Sequence, residues 1–159
     1  IGSEGKKKEE LEYRFDASFS IDSETGEVTV ATDDALTQFI LGNVIHAVNL
    51  GHNPDIAMQL SDETYVFDVI DVKHIVRDQH RLKVVMGRII GKEGRTRELL
   101  EELSNTAVSV KDHYVSVVGP YENTMITHEA LMMLIKGASH KAVYSYLERS
   151  RPRMETGVL

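Results

Sequence analysis

An internal repeat constrains this chain more than any other feature. Ile90-Gly91-Lys92-Glu93-Gly94-Arg95-Thr96-Arg97-Glu98 lies over Ile1-Gly2-Ser3-Glu4-Gly5-Lys6-Lys7-Lys8-Glu9, at an offset of 89. Further along, Val115-Ser116-Val117 lies over Val28-Thr29-Val30, and Gly137 and Leu147 over Gly51 and Leu60, at offsets of 86 or 87. The drift is what a shorter loop in the second copy produces. A sequence that repeats folds into repeating units with one order of elements. The 159 residues leave room for two small units, expected over 1–61 and 62–159. One Gly-x-x-Gly is weak evidence. The same signature twice, followed each time by the same order of elements, is specific.

The second copy is the complete one. Residues 64–72 (TYVFDVIDV) are rich in β-branched and aromatic side chains and predict a strand. Leu82, Val85, Met86, Ile89 and Ile90 recur at helical spacing, and Gly91 stops that helix. A second helix follows Gly94, with Leu99, Leu100 and Leu103 facing inward. Residues 106–110 and 114–118 are β-prone runs about Lys111-Asp112-His113 and predict a hairpin. Beyond Gly119-Pro120 come a helix carrying Ile126, Ala130, Met133 and Leu134, and another over about 140–148. The first copy predicts a helix through Leu11, a hairpin about Ser23-Glu24-Thr25-Gly26 and a helix over about 33–51.

Charge is segregated. Residues 9–72 carry fourteen acids and one base, Arg14, a local charge of −13. Residues 73–97 carry eight bases against Asp78 and Glu93, a local +6, in a chain of net charge −7. The bases Arg149, Arg151 and Arg153 predict a basic tail. The negative sum therefore hides one concentrated positive segment, and that segment contains the second glycine motif.

Gly87-Arg88-Ile89-Ile90-Gly91-Lys92-Glu93-Gly94-Arg95, set between two helices, resembles the core of a KH domain in its type I element order. The first copy resembles the same domain cut short, with its first strand and most of its first helix upstream of Ile1. Gly51-His52-Asn53-Pro54 follows one copy, and the run from Tyr144 to Pro152 follows the other. That tandem arrangement is similar to archaeal KH-domain proteins related to the eukaryotic small-subunit assembly factor called partner of Nob. The resemblance covers nearly the whole chain. It implies an α+β fold of two tandem type I KH domains, each a three-stranded antiparallel sheet packed against helices. It also implies binding of single-stranded ribosomal RNA, near the 3′ end of the small-subunit RNA, during rRNA processing in the cytoplasm. Ribosome-assembly or translation-factor proteins would be its protein partners.

The physical reason for the motif stands beside the resemblance. A single-stranded backbone is held by bringing phosphates against main-chain N–H groups, and a GxxG loop clamps about four nucleotides in this way. Glycine lets the chain turn tightly with no Cβ between backbone and phosphate, and the following helix offers the positive end of its dipole. Arg88, Lys92 and Arg95 are the expected phosphate contacts, with Gly91, Glu93 and Gly94 completing the loop. Ile89, Ile90 and Val108 are the expected floor of a base groove. In the first copy the corresponding positions are Gly2, Ser3, Glu4, Gly5 and Lys6. No base stands inside that loop, and its surroundings are acidic, so weaker RNA binding is expected there.

Other classes find little support. With no cysteine there is neither a disulfide framework, a thiolate zinc site nor a cysteine nucleophile. His46 and His52, like His74 and His80, are six apart, which suits no zinc spacing. There is no nucleophile elbow, Walker lysine or HExxH motif, so neither cofactor nor catalysis is expected. Asp33-Asp34 fits a helix cap, Glu9, Glu10 and Glu12 a solvated face, and Asp68 and Asp71 opposite faces of a strand. No apolar run approaches the roughly 20 residues of a membrane helix, and no secretory leader is expected. The competing reading is a scaffold that docks a basic partner protein on the acidic first unit.

Overall fold

The structure is a computed structural model that describes residues 5–156. α1 (Lys6–Phe15) is closed by Asp16, left-handed at φ 47°. β1 (Ser18–Ile21) and β2 (Val28–Ala31) pair antiparallel with Phe19 opposite Val30. Between them the Asp22 carboxylate accepts the N–H groups of Glu24 and Thr25, which hold its pKa below the usual range. α2 (Ala35–Asn49) starts at Asp34, whose carboxylate accepts the Thr37 hydroxyl at 2.6 Å and the Thr37 N–H at 2.9 Å. The capping role expected for this acid is therefore met. α3 (Pro54–Ala57) and a 3₁₀ turn (Met58–Ser61) lead into the second unit.

There β3 (Tyr65–Asp71), the short α4 (Val72–Ile75) and α5 (Gln79–Ile90) come first. A 3₁₀ turn (Lys92–Gly94) joins α5 to α6 (Arg95–Ser104). β4 (Ala107–Lys111) and β5 (Tyr114–Pro120) form the hairpin, followed by α7 (Tyr121–Lys136) and α8 (His140–Thr156). The order helix, hairpin, long helix, further helix thus occurs in both halves. Among the described residues the first sheet has two strands, one fewer than a complete copy would have.

The second sheet runs β3-β5-β4, all antiparallel, with the last strand in the middle. Its side chains alternate between two covered faces. Ile70, Val108, Val115 and Val117 pack on Ile89, Leu100, Leu131, Leu134 and Leu147 of its own helices. Tyr65, Phe67, Ala107 and Val118 face the other way, onto Leu41, Met58 and Leu60 of the first unit. Burial on both faces explains why residues 64–72 read as a nearly unbroken apolar run. Asp68 and Asp71 do diverge: Asp68 meets His128 of α7 at 2.7 Å, while Asp71 caps α4 through the His74 N–H.

α8 extends eight residues past the expected 148, straight through Pro152. Arg153 reaches Glu122 of α7 at 3.0 Å, and the Glu122 side chain is only 6% exposed. The basic run from 149 to 153 is thus part of a packed helix, because this ion pair ties its end to the start of α7.

Candidate nucleic-acid interface

Three left-handed residues shape the turn between α5 and α6. Gly91 (φ 76°) closes α5 by donating its N–H to the Gly87 carbonyl at 2.8 Å. Glu93 (φ 54°) and Gly94 (φ 78°) complete the reversal. α6 then begins without a side-chain cap; the Arg95 N–H goes to the Lys92 carbonyl, the N–H groups after it have no intrahelical acceptor, and Glu98 is the acid of that first turn. The two glycines serve different needs. A Cβ on Gly91 would run into the Thr96 side chain and come within 2.7 Å of the Thr96 nitrogen, whereas one on Gly94 would meet nothing within 4 Å. Gly91 is fixed by close approach, Gly94 by its dihedral alone.

Lys92 and Arg95 stand exposed on this turn. Arg95 touches Glu98 at 3.5 Å, but both side chains are more than half exposed, so the pair is weak and open to competition. Arg88 departs from expectation. Its guanidinium donates to the carbonyls of Leu134 (2.8 Å) and Ala138, and its own carbonyl meets His140 Nε2 at 2.9 Å. It caps the C-terminal end of α7, a favourable place for a cation, and so is not free for a phosphate. Ile89 also departs. It is fully buried and belongs to the core, while its neighbour Ile90 is 38% exposed. Val108, 2% exposed, supports the groove from beneath.

Arg97 is a residue that the sequence reasoning passed over. Its Nη1 donates to Glu101 at 3.1 Å and to the Val108 carbonyl at 3.2 Å, and Glu101 accepts the Val108 N–H at 2.8 Å. These bonds satisfy the outer edge of β4 at Val108. By the two-residue period of the strand, Val110 presents its own N–H and carbonyl along that edge. Membership of the basic segment was the one sequence signal for Arg97; the link to β4 is tertiary.

A cleft of roughly 500 Å³ runs beside this edge, lined by Ile90, Arg97, Glu101 and residues 107–110. The first unit supplies the rest of the lining with Gly51, His52, Asn53 and Ile56. His52 is 6% exposed, its Nε2 lies 3.0 Å from Ser116 Oγ, and its ring stands edge-on to Phe67. Burial pushes its imidazole pKa down to about 4. In the first copy Gly5 is left-handed at φ 73° and Lys6 opens α1, while Gly2, Ser3 and Glu4 lie outside the described residues. A smaller cavity of the first unit, between α1, the β1–β2 hairpin and α2, is lined mainly by apolar side chains, with Lys8, Glu10 and Asn49 as its polar members.

An antiparallel sheet with its last strand in the middle, beside two helices joined by a glycine-bounded turn, defines a type I KH domain, an RNA-binding module. The family model for the second KH domain of Pno1, described as a eukaryotic-type KH domain (KH-domain type I), matches residues 66–152, over half of the chain. A KH domain-containing protein of Methanocaldococcus jannaschii is 36% identical over 98% of this chain and 70% of its own length. The pre-rRNA-processing protein pno1 of Emericella nidulans is 35% identical over 70% of this chain and 44% of its own length. A chain of the solved a/eIF2alpha-aDim2p-rRNA complex of Pyrococcus horikoshii superposes with a TM-score of 0.84, at 36% identity, covering 98% of this chain and 86% of that one. The chain belongs to the Pno1/Dim2 family of KH-domain RNA-binding proteins. It spans less than half the length of the fungal relative.

Proposed function

We propose that the chain is a tandem of two type I KH units, divided near residue 61, that binds single-stranded ribosomal RNA during small-subunit maturation. Its work is binding, without chemistry, in the cytoplasm. The RNA would be the region near the 3′ end of the small-subunit RNA, held by the second unit. The observation that carries this reading is the α5–turn–α6 geometry, which puts Lys92, Arg95 and the uncapped start of α6 on one exposed edge. Ile90 and the β4 edge would face the bases.

A second reading, protein docking on the first unit, is favoured by a specific observation. Tyr13, Leu36 and Phe39 are 93, 60 and 67% exposed on the acidic unit, the surface expected for a basic partner with apolar anchors. The solved Pyrococcus relative is in a complex that holds a/eIF2alpha as well as rRNA, so a translation-factor partner is compatible with RNA binding here.

A salt series tests the RNA reading. With Arg88 committed to α7, two side chains, Lys92 and Arg95, remain for phosphates. For single strands log K then falls against log salt with a slope of about −1.4, at about 0.7 per phosphate. Lys92→Ala and Arg95→Ala should each flatten the slope by about 0.7. Arg88→Ala should leave it unchanged but lower the melting temperature. A slope near zero in the wild type would favour the docking reading; one steeper than about −4 would mean that the Lys6-Lys7-Lys8 run or the α8 arginines also hold phosphates.

A further inference from the structure

The two edges of the second sheet differ. On β4, Arg97 and Glu101 satisfy the outward carbonyl and N–H of Val108. On β3 the pairing decides which groups point outward. The Tyr121 N–H donates to the Thr64 carbonyl and the Val72 N–H to the His113 carbonyl, so the even-numbered residues of β3 bond to β5 and the odd-numbered ones face away. The Tyr65 N–H is taken by the Asp62 carbonyl at 3.0 Å. Among the described residues, the N–H and C=O groups of Phe67 and Val69 have no partner. This edge runs for seven residues in unbroken register, with no proline, lysine or bulge to blunt it.

The two faces beside that edge differ in chemistry. On one, Phe67 and Val69 are half-buried, and the His46 ring stands edge-on to Phe67 with centroids 5.3 Å apart. The end of α2 is held over this face by Ser109 Oγ, which donates to the Leu50 carbonyl at 2.7 Å, and by Lys111 Nζ, which donates to the Asn49 carbonyl. From His46 an exposed stripe runs back along α2 through Phe39 and Leu36, 67 and 60% exposed. On the other face stands Asp68, bonded to His128. Asp62 and Glu63 precede the strand and Asp71 ends it. Both α2 and β3 thus belong to the stretch over 9–72 whose charge is −13.

We propose that the open edge of β3 takes an extended protein segment as a further strand, one that alternates apolar residues with lysine or arginine. Edge strands are paired in this way by added peptides, and an added strand presents alternate side chains to the two faces. Its apolar residues would lie beside Phe67, Val69 and the α2 stripe, and its basic ones beside Asp68. Charge selects this occupant. A second copy of the chain brings the same acidic strand, and antiparallel pairing centred on Asp68 sets that carboxylate against itself. The proposal deepens the docking reading above by moving its site to the junction of α2 and β3, and it is separate from the Gly91–Gly94 turn.

The test uses the full chain and three eight-residue peptides: alternating valine and lysine, the same peptide with its valine nitrogens methylated, and alternating valine and glutamate. The valines share a face with Phe67 and Val69, so their N–H groups are the ones that pair. The valine–lysine peptide should bind saturably and slow amide hydrogen exchange at Phe67 and Val69, and the other two should bind at least tenfold more weakly. Val69→Pro removes an outward donor without touching the bonds to β5 and should weaken binding about tenfold. Asp68→Asn keeps an oxygen for His128 and should cost about threefold. Melting curves check both variants, and the methylated peptide needs no variant. No binding of the valine–lysine peptide, or equal binding of its methylated form, would overturn the proposal. So would a concentration-dependent dimer that protects Phe67 and Val69, because a second copy would then be the occupant. If the lysine and glutamate peptides bind equally, the docking reading itself, which asks for a basic partner, has failed. If the lysine peptide is preferred but its protection lies about Tyr13 and Leu36, the β3 edge alone has failed.

Discussion

Gly91 and Gly94 look interchangeable in a Gly-x-x-Gly motif, and the structure separates them. Alanine at position 94 faces open space and bears only the left-handed penalty, about 1 kcal/mol. Alanine at position 91 adds a collision with Thr96, a residue that is itself 7% exposed, and overpacking of that kind costs a further 1–3 kcal/mol or so. Urea denaturation should rank Gly91→Ala as the more destabilising change; the reverse order would contradict the close-approach account. The neighbouring cations divide in the same way. By sequence Arg88, Lys92 and Arg95 are three equal charges around one motif. What distinguishes Arg88 is a pair of carbonyls 46 and 50 residues further along the chain, and no local pattern carries that information. Ile89 and Ile90 differ for the same reason: helical spacing placed both on one stripe, but the stripe is narrow and Ile90 lies at its margin.

At the scale of elements, the end of α2, β4 and the Gly51–Asn53 segment form the joint between the units, and His52 is its titratable group. With a folded pKa of about 4 against an ordinary value near 6.5, the native joint rejects the proton that the unfolded chain accepts. Above pH 6.5 both states are neutral and the histidine has no effect on stability. As pH falls from 6.5 toward 4, the unfolded chain binds more protons and stability drops. Between pH 7 and 5 this single site accounts for about 2 kcal/mol. His52→Gln should remove that share of the pH dependence in denaturant titrations; equal slopes in variant and wild type would show that the joint does not exclude the proton. The elements themselves were largely legible, since β-branched runs, a helical stripe and the two glycines mark β3, α5 and the turn by local chemistry. The end of α8 was not, because Pro152 reads as a stop and the Arg153–Glu122 pair that holds the helix end is a contact across 31 residues. The joint was also invisible: the nearly unbroken apolar run of β3 shows that both faces are covered but not by what.

Over the whole molecule, an overall charge of −7 and an RNA ligand are compatible only if the positive charge is concentrated. The fold keeps it so. The acidic stretch over 9–72 takes in the first unit and β3, while Lys92 and Arg95 project from the turn that closes α5. The first unit covers the second sheet and lines the cleft beside β4, and on the proposed reading the second unit would hold the RNA backbone. The central claim is that the Gly91–Gly94 turn is where RNA binds, and one comparison tests it most directly. Replacing Lys92 and Glu93 by aspartates places like charge against the phosphates, on exposed positions of a turn whose left-handed residue 93 an aspartate tolerates well. Affinity for a single-stranded RNA octamer at fixed salt should fall at least tenfold, about 1.4 kcal/mol, with the melting temperature little changed. Undiminished affinity in a variant that melts like the wild type would contradict it.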